Sequence, residues 1–126
     1  MTKNPILLTE YVRQALRRMV VKPYTSPTGD LPVYLLDSTI EQAVEGAVEH
    51  TEQTSHLNLA PQRIRDIQER ITRTVGSPET PVVALASTGS RYFLRQIVEA
   101  AMGNLMFLSH NEIPPGLKVV SLGVIQ

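Results

Sequence analysis

The sequence contains no cysteine and no tryptophan, and only 5% of its residues are aromatic. The absence of cysteine excludes disulfide bonds, thiolate metal ligands and a cysteine nucleophile. The scarcity of aromatic rings argues against a surface on which nucleic-acid bases stack. The formal net charge is +0, with 12 Lys+Arg and 12 Asp+Glu, so no overall field attracts nucleic acid or an anionic membrane. We therefore expect neither a nucleic-acid partner nor membrane contact.

Long hydrophobic runs are also missing. A membrane-spanning helix needs roughly 18 to 20 apolar residues, whereas the longest apolar stretches, 81–86 and 105–108, have the length of buried strands. Lys3 is not followed by the apolar core of a signal peptide. The chain has 126 residues, of which 42% are hydrophobic. This length and composition predict a soluble intracellular domain with a single core, with or without a short helical extension.

The first element is predicted to be an amphipathic helix. Asn4 is a plausible N-cap, and Pro5 occupies the first helical position, where the missing N–H of proline costs nothing. Apolar residues recur at helical spacing and form one face: Leu8, Val12, Ala15, Leu16 and Met19. Prolines and glycine then break the chain, so we divide it into a leading helical segment, 1–22, and a main domain, 23–126.

Strand and helix patterns alternate in the first half of the main domain. Val20-Val21 and 32–36 flank a proline-rich turn, which predicts a β-hairpin. Residues 38–48 and 61–75 each carry an apolar stripe at helical spacing, and a polar loop separates them. Both segments are therefore predicted to be helices that pack against the sheet.

The second half predicts a strand, a helix and another strand. The apolar runs 81–86 and 105–108 flank a helix whose inward residues include Leu94 and Ala101, and such a unit joins parallel neighbours through a right-handed crossover. Residues 117–125 are predicted to form an antiparallel strand at or near the sheet edge. The predicted fold is α/β, a small mixed sheet of about four strands packed with helices and preceded by one amphipathic helix.

One candidate anion site lies at Thr88–Arg91, between a predicted strand and a predicted helix. Backbone N–H groups at a helix start can bind an anion, but the stretch lacks the Gly-Lys-Ser/Thr ending of a phosphate loop. Helix capping, with Arg91 on the surface, is the simpler interpretation. A small anion- or nucleotide-binding enzyme that uses Thr88–Arg91 remains an alternative.

Ser109, His110 and Glu112 place a hydroxyl, an imidazole and a carboxylate close together in the sequence. Neighbours on a strand point to opposite faces, and no glycine-flanked nucleophile turn is present. We therefore expect a turn that shows Asn111 and Glu112 to solvent rather than a hydrolytic site. No catalytic residue is predicted.

His50 and His56 give only a weak zinc signal, because no cluster of carboxylates nearby completes a ligand set. We predict no metal site and no cofactor.

Two separated stretches of the chain resemble the FlhA/SctV family, the major export-gate proteins of flagellar and injectisome type III secretion. One is the helix at 6–18, ILLTEYVRQALRR, and the other is the final turn and strand within 105–125. The residues between them are similar more loosely. The resemblance implies the C-terminal subdomain of the family's cytoplasmic region, with 1–22 as the last helix of a preceding helical subdomain. The proline-rich turn at 111–116, and the close of the chain soon after it, look more like the injectisome branch than the flagellar one.

The resemblance also implies a function. Family members form a nonameric ring of identical subunits at the cytoplasmic face of the bacterial inner membrane. The ring is non-catalytic, receives chaperone–substrate and gatekeeper complexes, and contacts the stalk protein of the export ATPase. The residues expected to contact partners are Asn111, Glu112, Pro114, Pro115, Arg91 and Arg95. Arg13, Arg17 and Arg18 are expected between subunits, facing the acidic residues Glu41, Glu45, Glu49 and Glu52 of a neighbouring copy. An adaptor module unrelated to secretion is the remaining alternative.

Overall fold

The computed structural model describes residues 3–126, so the first two residues of the predicted segment 1–22 lie outside it. The helices are α1 (Pro5–Ala15), α2 (Arg17–Val21), α3 (Ser38–Gly46), α4 (Pro61–Val75) and α5 (Arg91–Val98), with 3-10 turns at Lys22–Tyr24 and His110–Glu112. The strands are β1 (Asp30–Leu36), β2 (Val48–His50), β3 (Ser55–Leu57), β4 (Val82–Ala86), β5 (Leu105–Ser109) and β6 (Lys118–Ile125). The predicted α/β class is confirmed.

The main sheet has four strands in the order β5-β4-β1-β6, and each neighbouring pair is parallel. The last strand lies at the sheet edge, as predicted, but its predicted antiparallel direction is wrong. Asp30 pairs with Lys118 and Leu36 pairs with Ile125, in the same direction. The reason is the connection after β5, which returns across the sheet before β6 begins beside the start of β1. Within residues 3–126, antiparallel pairing is confined to the separate β2–β3 hairpin.

The predicted hairpin between Val20-Val21 and 32–36 is wrong. Val20 and Val21 belong to α2, and only the second segment is a strand. Val21 is 4% exposed and packs in the core, so the apolar pair continues a helical face instead of starting a strand. The predicted helix at 38–48 also ends early, because α3 stops at Gly46 and Val48 begins β2.

The core is divided into two clusters by the sheet. Buried residues of the first cluster on α3, α4 and α5 include Ile40, Val44, Ile67, Ile71, Phe93, Leu94, Ile97 and Val98. The second cluster is smaller and comprises Val21, Leu31, Val33, Val83, Leu85 and Leu108. Leu94 is inward as predicted, whereas Ala101 is exposed because α5 ends at Val98.

The start of α1 is confirmed, since the Asn4 side chain accepts from the backbone N–H groups of Ile6 and Leu7, and Pro5 follows it. Most of the predicted apolar face of this segment is nevertheless exposed. Val12 is 57% exposed and Met19 is 70% exposed. No helix within residues 3–126 has the length and apolar character needed to cross a membrane.

Candidate partner-binding site

The final turn is a stiff connection between β5 and the last strand. The chain leaves β5 at Ser109, makes one 3-10 turn, and reaches Pro114, which is buried, and Pro115, which is exposed. Gly116 follows with a φ of 86°, a conformation that favours glycine. Two prolines with fixed φ therefore hold the turn before glycine allows the chain to reverse.

Glu112 is buried at 1% exposure, so its predicted exposure is wrong. Its Oε1 accepts from the backbone N–H of Ser109 at 2.8 Å and from Arg13 Nη2 at 3.2 Å, while Arg13 Nε donates to its Oε2. A buried carboxylate is tolerated when it is paired and hydrogen-bonded in this way. Asn111 is exposed as predicted and donates from Nδ2 to Thr88 Oγ1 at 3.0 Å.

Arg91 is 7% exposed, so the prediction that it lies on the surface is also wrong. Its Nε and Nη2 donate to the two carboxylate oxygens of Glu10 at 2.7 and 2.8 Å, and its Nη1 donates to the carbonyl of Phe107 at 3.4 Å. Arg95 is half-buried and donates from Nη2 to the carbonyl of Gly103 at 3.4 Å. Arg91 therefore supports the scaffold.

The contacts around Thr88–Arg91 do not favour an anion site. The Arg91 guanidinium is occupied by Glu10. The side chain of Glu45 lies so close to Gly89 that a Cβ there would sit 2.9 Å from its Oε1. A carboxylate at this position repels an incoming anion. The interpretation of this stretch as scaffold is better supported than the enzyme alternative.

The hydrolytic grouping is not assembled either. The carboxylate of Glu112 faces Arg13 rather than His110. His110 is exposed, and its electrostatic influence falls on the pKa of Glu41. Burial raises the pKa of Glu41, the nearby Glu45 raises it further, and His110 partly opposes the shift.

The two predicted zinc candidates have other partners. His56 Nε2 lies 2.9 Å from Glu49 Oε2, and the His50 ring hydrogen-bonds to the Ser55 hydroxyl. In the described part of the chain, no group of three or more histidine, aspartate or glutamate side chains could hold a metal ion.

Two surface concavities collect most of the predicted contact residues. The first, about 300 Å³, is lined by Arg18, Val21, Pro114, Pro115, Gly116 and Leu117. The second, about 210 Å³, is lined by Arg13, Tyr24, Arg91, Arg95, Met106, Phe107 and Leu108. Arg17 lines a neighbouring concavity with Arg18, and Asn111 and Glu112 lie outside these linings.

Sequence reasoning missed Val21, Tyr24 and Leu117 as lining residues of these concavities. Each is an aliphatic or aromatic side chain without a distinguishing motif, and the sequence pattern predicts a strand at Val21. The helical spacing of Val21 with the residues of α1 is the one local signal that could have placed it beside the turn.

The described residues therefore define an α/β domain with a parallel four-stranded sheet and concavities lined by arginine, proline and aliphatic groups. The sequence profile of the FHIPEP family matches residues 1–118. The chain belongs to this family.

Individual relatives agree with this assignment. The low calcium response locus protein D of Yersinia pestis is 29% identical over 126 residues, which cover 98% of this chain and 18% of that protein. The structure of the Chlamydia pneumoniae CdsV and CdsO protein complex matches with a TM-score of 0.87 and 30% identity, over 100% of this chain and 38% of the matched one. The nonameric EPEC SctV-C matches with a TM-score of 0.85 and 28% identity, over 98% of this chain and 37% of the matched one. The chain thus spans about a fifth of its curated relative and over a third of these solved chains.

Proposed function

We propose that this chain is part of the cytoplasmic portion of a type III secretion export gate, at the cytoplasmic face of the bacterial inner membrane. Its role is docking rather than catalysis. In the whole protein it contributes to a nonameric ring that receives chaperone–substrate and gatekeeper complexes and contacts the stalk protein of the export ATPase. Segment 1–22, whose described part contains α1 and α2, belongs to the end of a helical subdomain, and 23–126 form the terminal α/β subdomain.

The observation that carries this proposal is the likeness of the entire chain to CdsV, solved in complex with CdsO. CdsV has the same fold over the full length of this chain. This chain can therefore present a docking surface on the same scaffold as CdsV. The likeness to the nonameric SctV-C supports assembly into a ring. Both structures, together with the Yersinia relative, favour the injectisome branch.

The proposed assembly surface is the exposed side of α1 and α2. Tyr11, Val12, Leu16 and Met19 are each between 47% and 70% exposed, and a helix stripe of this kind normally packs against another element. Arg17 and Arg18 lie beside this stripe and are exposed. Arg13 is the exception among the three predicted inter-subunit residues, because it is paired with Glu112.

The proposed partner site is the concavity beside the final turn. Arg18 is exposed and pairs with no carboxylate among residues 3–126, and Pro115 offers a rigid apolar surface that loses little entropy on binding. Asn111, which is exposed on the turn, and Arg95, which lines the second concavity, are proposed as further contacts. Glu112 and Arg91 hold the turn and α5 in place from inside, so we assign them a supporting role at the site.

The test measures binding of the purified stalk protein of the same secretion system to the chain by biolayer interferometry. We expect Arg18→Glu and Pro115→Glu each to weaken binding by about tenfold or more, which corresponds to about 1.4 kcal/mol. Arg63→Glu is the matched control, because Arg63 is exposed on α4, away from the turn. Equal binding by all three variants would refute the site, and absence of any binding would refute the docking role.

A further inference from the structure

Three guanidinium groups line the second concavity, but only two of them have a carboxylate partner. The concavity has a volume of about 210 Å³, and its cationic lining residues are Arg13, Arg91 and Arg95. Arg91 is paired with Glu10, and Arg13 is paired with Glu112. Both carboxylates lie outside the lining. In the described part of the chain Arg95 has no such partner, so one positive charge of the group is not balanced.

The hydrogen bonds of Arg95 are incomplete as well. Its side chain is half-buried, and its Nη2 donates to the carbonyl of Gly103 at 3.4 Å, beyond the usual range of about 2.7–3.2 Å. Its Nη1 is buried and has no acceptor among residues 3–126. Because a buried charged donor without a partner is unfavourable, an anion beside Arg95 would be stabilised by the guanidinium and would stabilise it in return.

The remaining lining of this concavity is largely apolar, and it indicates which kind of anion fits. The lining is completed by Tyr24, Met106, Phe107 and Leu108. Cationic and apolar groups together favour an anion attached to an apolar body. A single carboxylate balances the one excess charge, whereas a phosphate group carries about −1.5 to −2 and exceeds it. A carboxylate also matches the planar fork of a guanidinium.

We propose that the second concavity binds a small carboxylic acid, whose carboxylate pairs with Arg95 and whose aliphatic body lies against Tyr24 and Met106. The volume is below the roughly 300–1,000 Å³ of pockets for drug-sized ligands, so the acid has few atoms. The site shares Arg95 with the proposed docking surface but is a different concavity from the one beside the final turn. The inference therefore does not depend on binding of the stalk protein.

The probe is hexanoate, and hexanamide is the matched neutral compound, measured with chloride added to equalise the ionic strength. Titrations are followed by NMR of the methionine methyl groups. We expect hexanoate to shift the Met106 methyl saturably and to leave unchanged that of Met19, which is exposed on α2. Hexanamide should leave both unchanged, because it lacks the charge. Equal shifts with hexanamide, or no saturable shift of Met106 with hexanoate, would overturn the proposal.

Two variants test the role of the unpaired cation. Arg95→Met should raise the dissociation constant of hexanoate by about tenfold or more. Arg63→Met removes an exposed arginine of α4 and should bind like the parent chain. Equal binding by Arg95→Met and Arg63→Met would refute the site. If Arg95→Met does not fold, the comparison of hexanoate with hexanamide on the parent chain still decides.

A third compound separates a free acid from an acidic side chain of a polypeptide, which carries the same carboxylate. It is glutamic acid with its α-amino group acetylated and its α-carboxyl group blocked as the methylamide. We expect it to bind more weakly than hexanoate, because its polar amides replace the aliphatic body. Tighter binding of this compound than of hexanoate would overturn the assignment to a small acid, since the concavity would then accept a side chain.

Discussion

The carboxylate of Glu10 in α1 accepts two hydrogen bonds from the guanidinium of Arg91 in α5, at 2.7 and 2.8 Å, across 81 residues of sequence. Their side chains are 8% and 9% exposed. One helical turn after Glu10, Arg13 forms the second pair of α1, with Glu112 in the final turn. Two ion pairs therefore hold α1. In one, α1 supplies the carboxylate to the cation of α5, and in the other it supplies the cation to the carboxylate of the final turn.

Breaking the first pair from one side should be strongly destabilising. Arg91→Met leaves the Glu10 carboxylate buried without its cation, and we expect a loss of about 3–5 kcal/mol in the free energy of unfolding. The double variant Glu10→Gln with Arg91→Met should recover most of this loss, since no buried charge remains. Urea denaturation measures both.

An exposed hydrogen-bonded pair of side chains provides the control for this comparison. Glu49 and His56 pair at 2.9 Å with side chains 58% and 55% exposed. Glu49→Gln should cost less than about 1 kcal/mol, because water replaces the lost partner. A loss for Arg91→Met no larger than the loss for Glu49→Gln would contradict the assigned role of the buried pair.

The second pair should respond asymmetrically to substitution. Glu112 is 1% exposed, whereas the Arg13 side chain is 27% exposed and can reach water. Arg13→Met strands a buried carboxylate, while Glu112→Gln leaves a guanidinium that solvent can hydrate. We expect Glu112→Gln to cost roughly 1.5–3 kcal/mol and Arg13→Met to cost more. Chemical denaturation gives the order of the two losses, and the reverse order would be inconsistent with this account.

Asn4 is expected to act in two ways that separate variants can distinguish. Its Oδ1 caps α1, and its Nδ2 donates to the Thr51 carbonyl at 3.1 Å and to Ser55 Oγ at 2.7 Å. Asn4→Ala should cost more than the roughly 1 kcal/mol typical of a lost cap, because the buried Ser55 hydroxyl also loses this donor. Asn4→Ser keeps a cap oxygen, so its stability should fall between that of the parent chain and that of Asn4→Ala. Thermal unfolding, with hydrogen exchange at Ile6 as the local readout, tests this order.

Local signals in the sequence located several elements well. The cap at Asn4 and the proline after it marked the start of α1, because both effects act within one turn. The apolar runs at 81–86 and 105–108 marked β4 and β5 to within one residue, because continuous burial on two faces requires such runs.

Features that depend on residues far apart in the sequence could not be predicted from local patterns. The apolar pattern of a strand is the same whether it pairs parallel or antiparallel with its neighbour. The parallel orientation of β6 is set by the connection that crosses the sheet, and the sequence pattern does not predict that connection. Charged residues are expected at the surface. They become buried only when an oppositely charged partner lies beside them, and the sequence pattern does not show which distant residue that partner is. Glu112 and Arg91 meet theirs 99 and 81 residues away. The exposure of Asn111, by contrast, was predicted correctly from turn chemistry.

Glu41 should make stability fall as the pH rises from acid to neutral. Burial, assisted by Glu45, raises the pKa of Glu41 in the folded chain above its ordinary value, and His110 only partly opposes this. The folded state therefore holds the proton more tightly than the unfolded state does. The resulting stabilisation is fully present below the unfolded pKa, about 4.3, and is lost as the pH rises through the higher folded pKa.

Glu41→Gln should be more stable than the parent chain at pH 7, and the difference should vanish near pH 4. Glu45→Gln should act in the same direction but less strongly. Urea midpoints across this pH range measure the effect, and a parent chain that gained stability relative to Glu41→Gln on going to pH 7 would show that the sign is wrong.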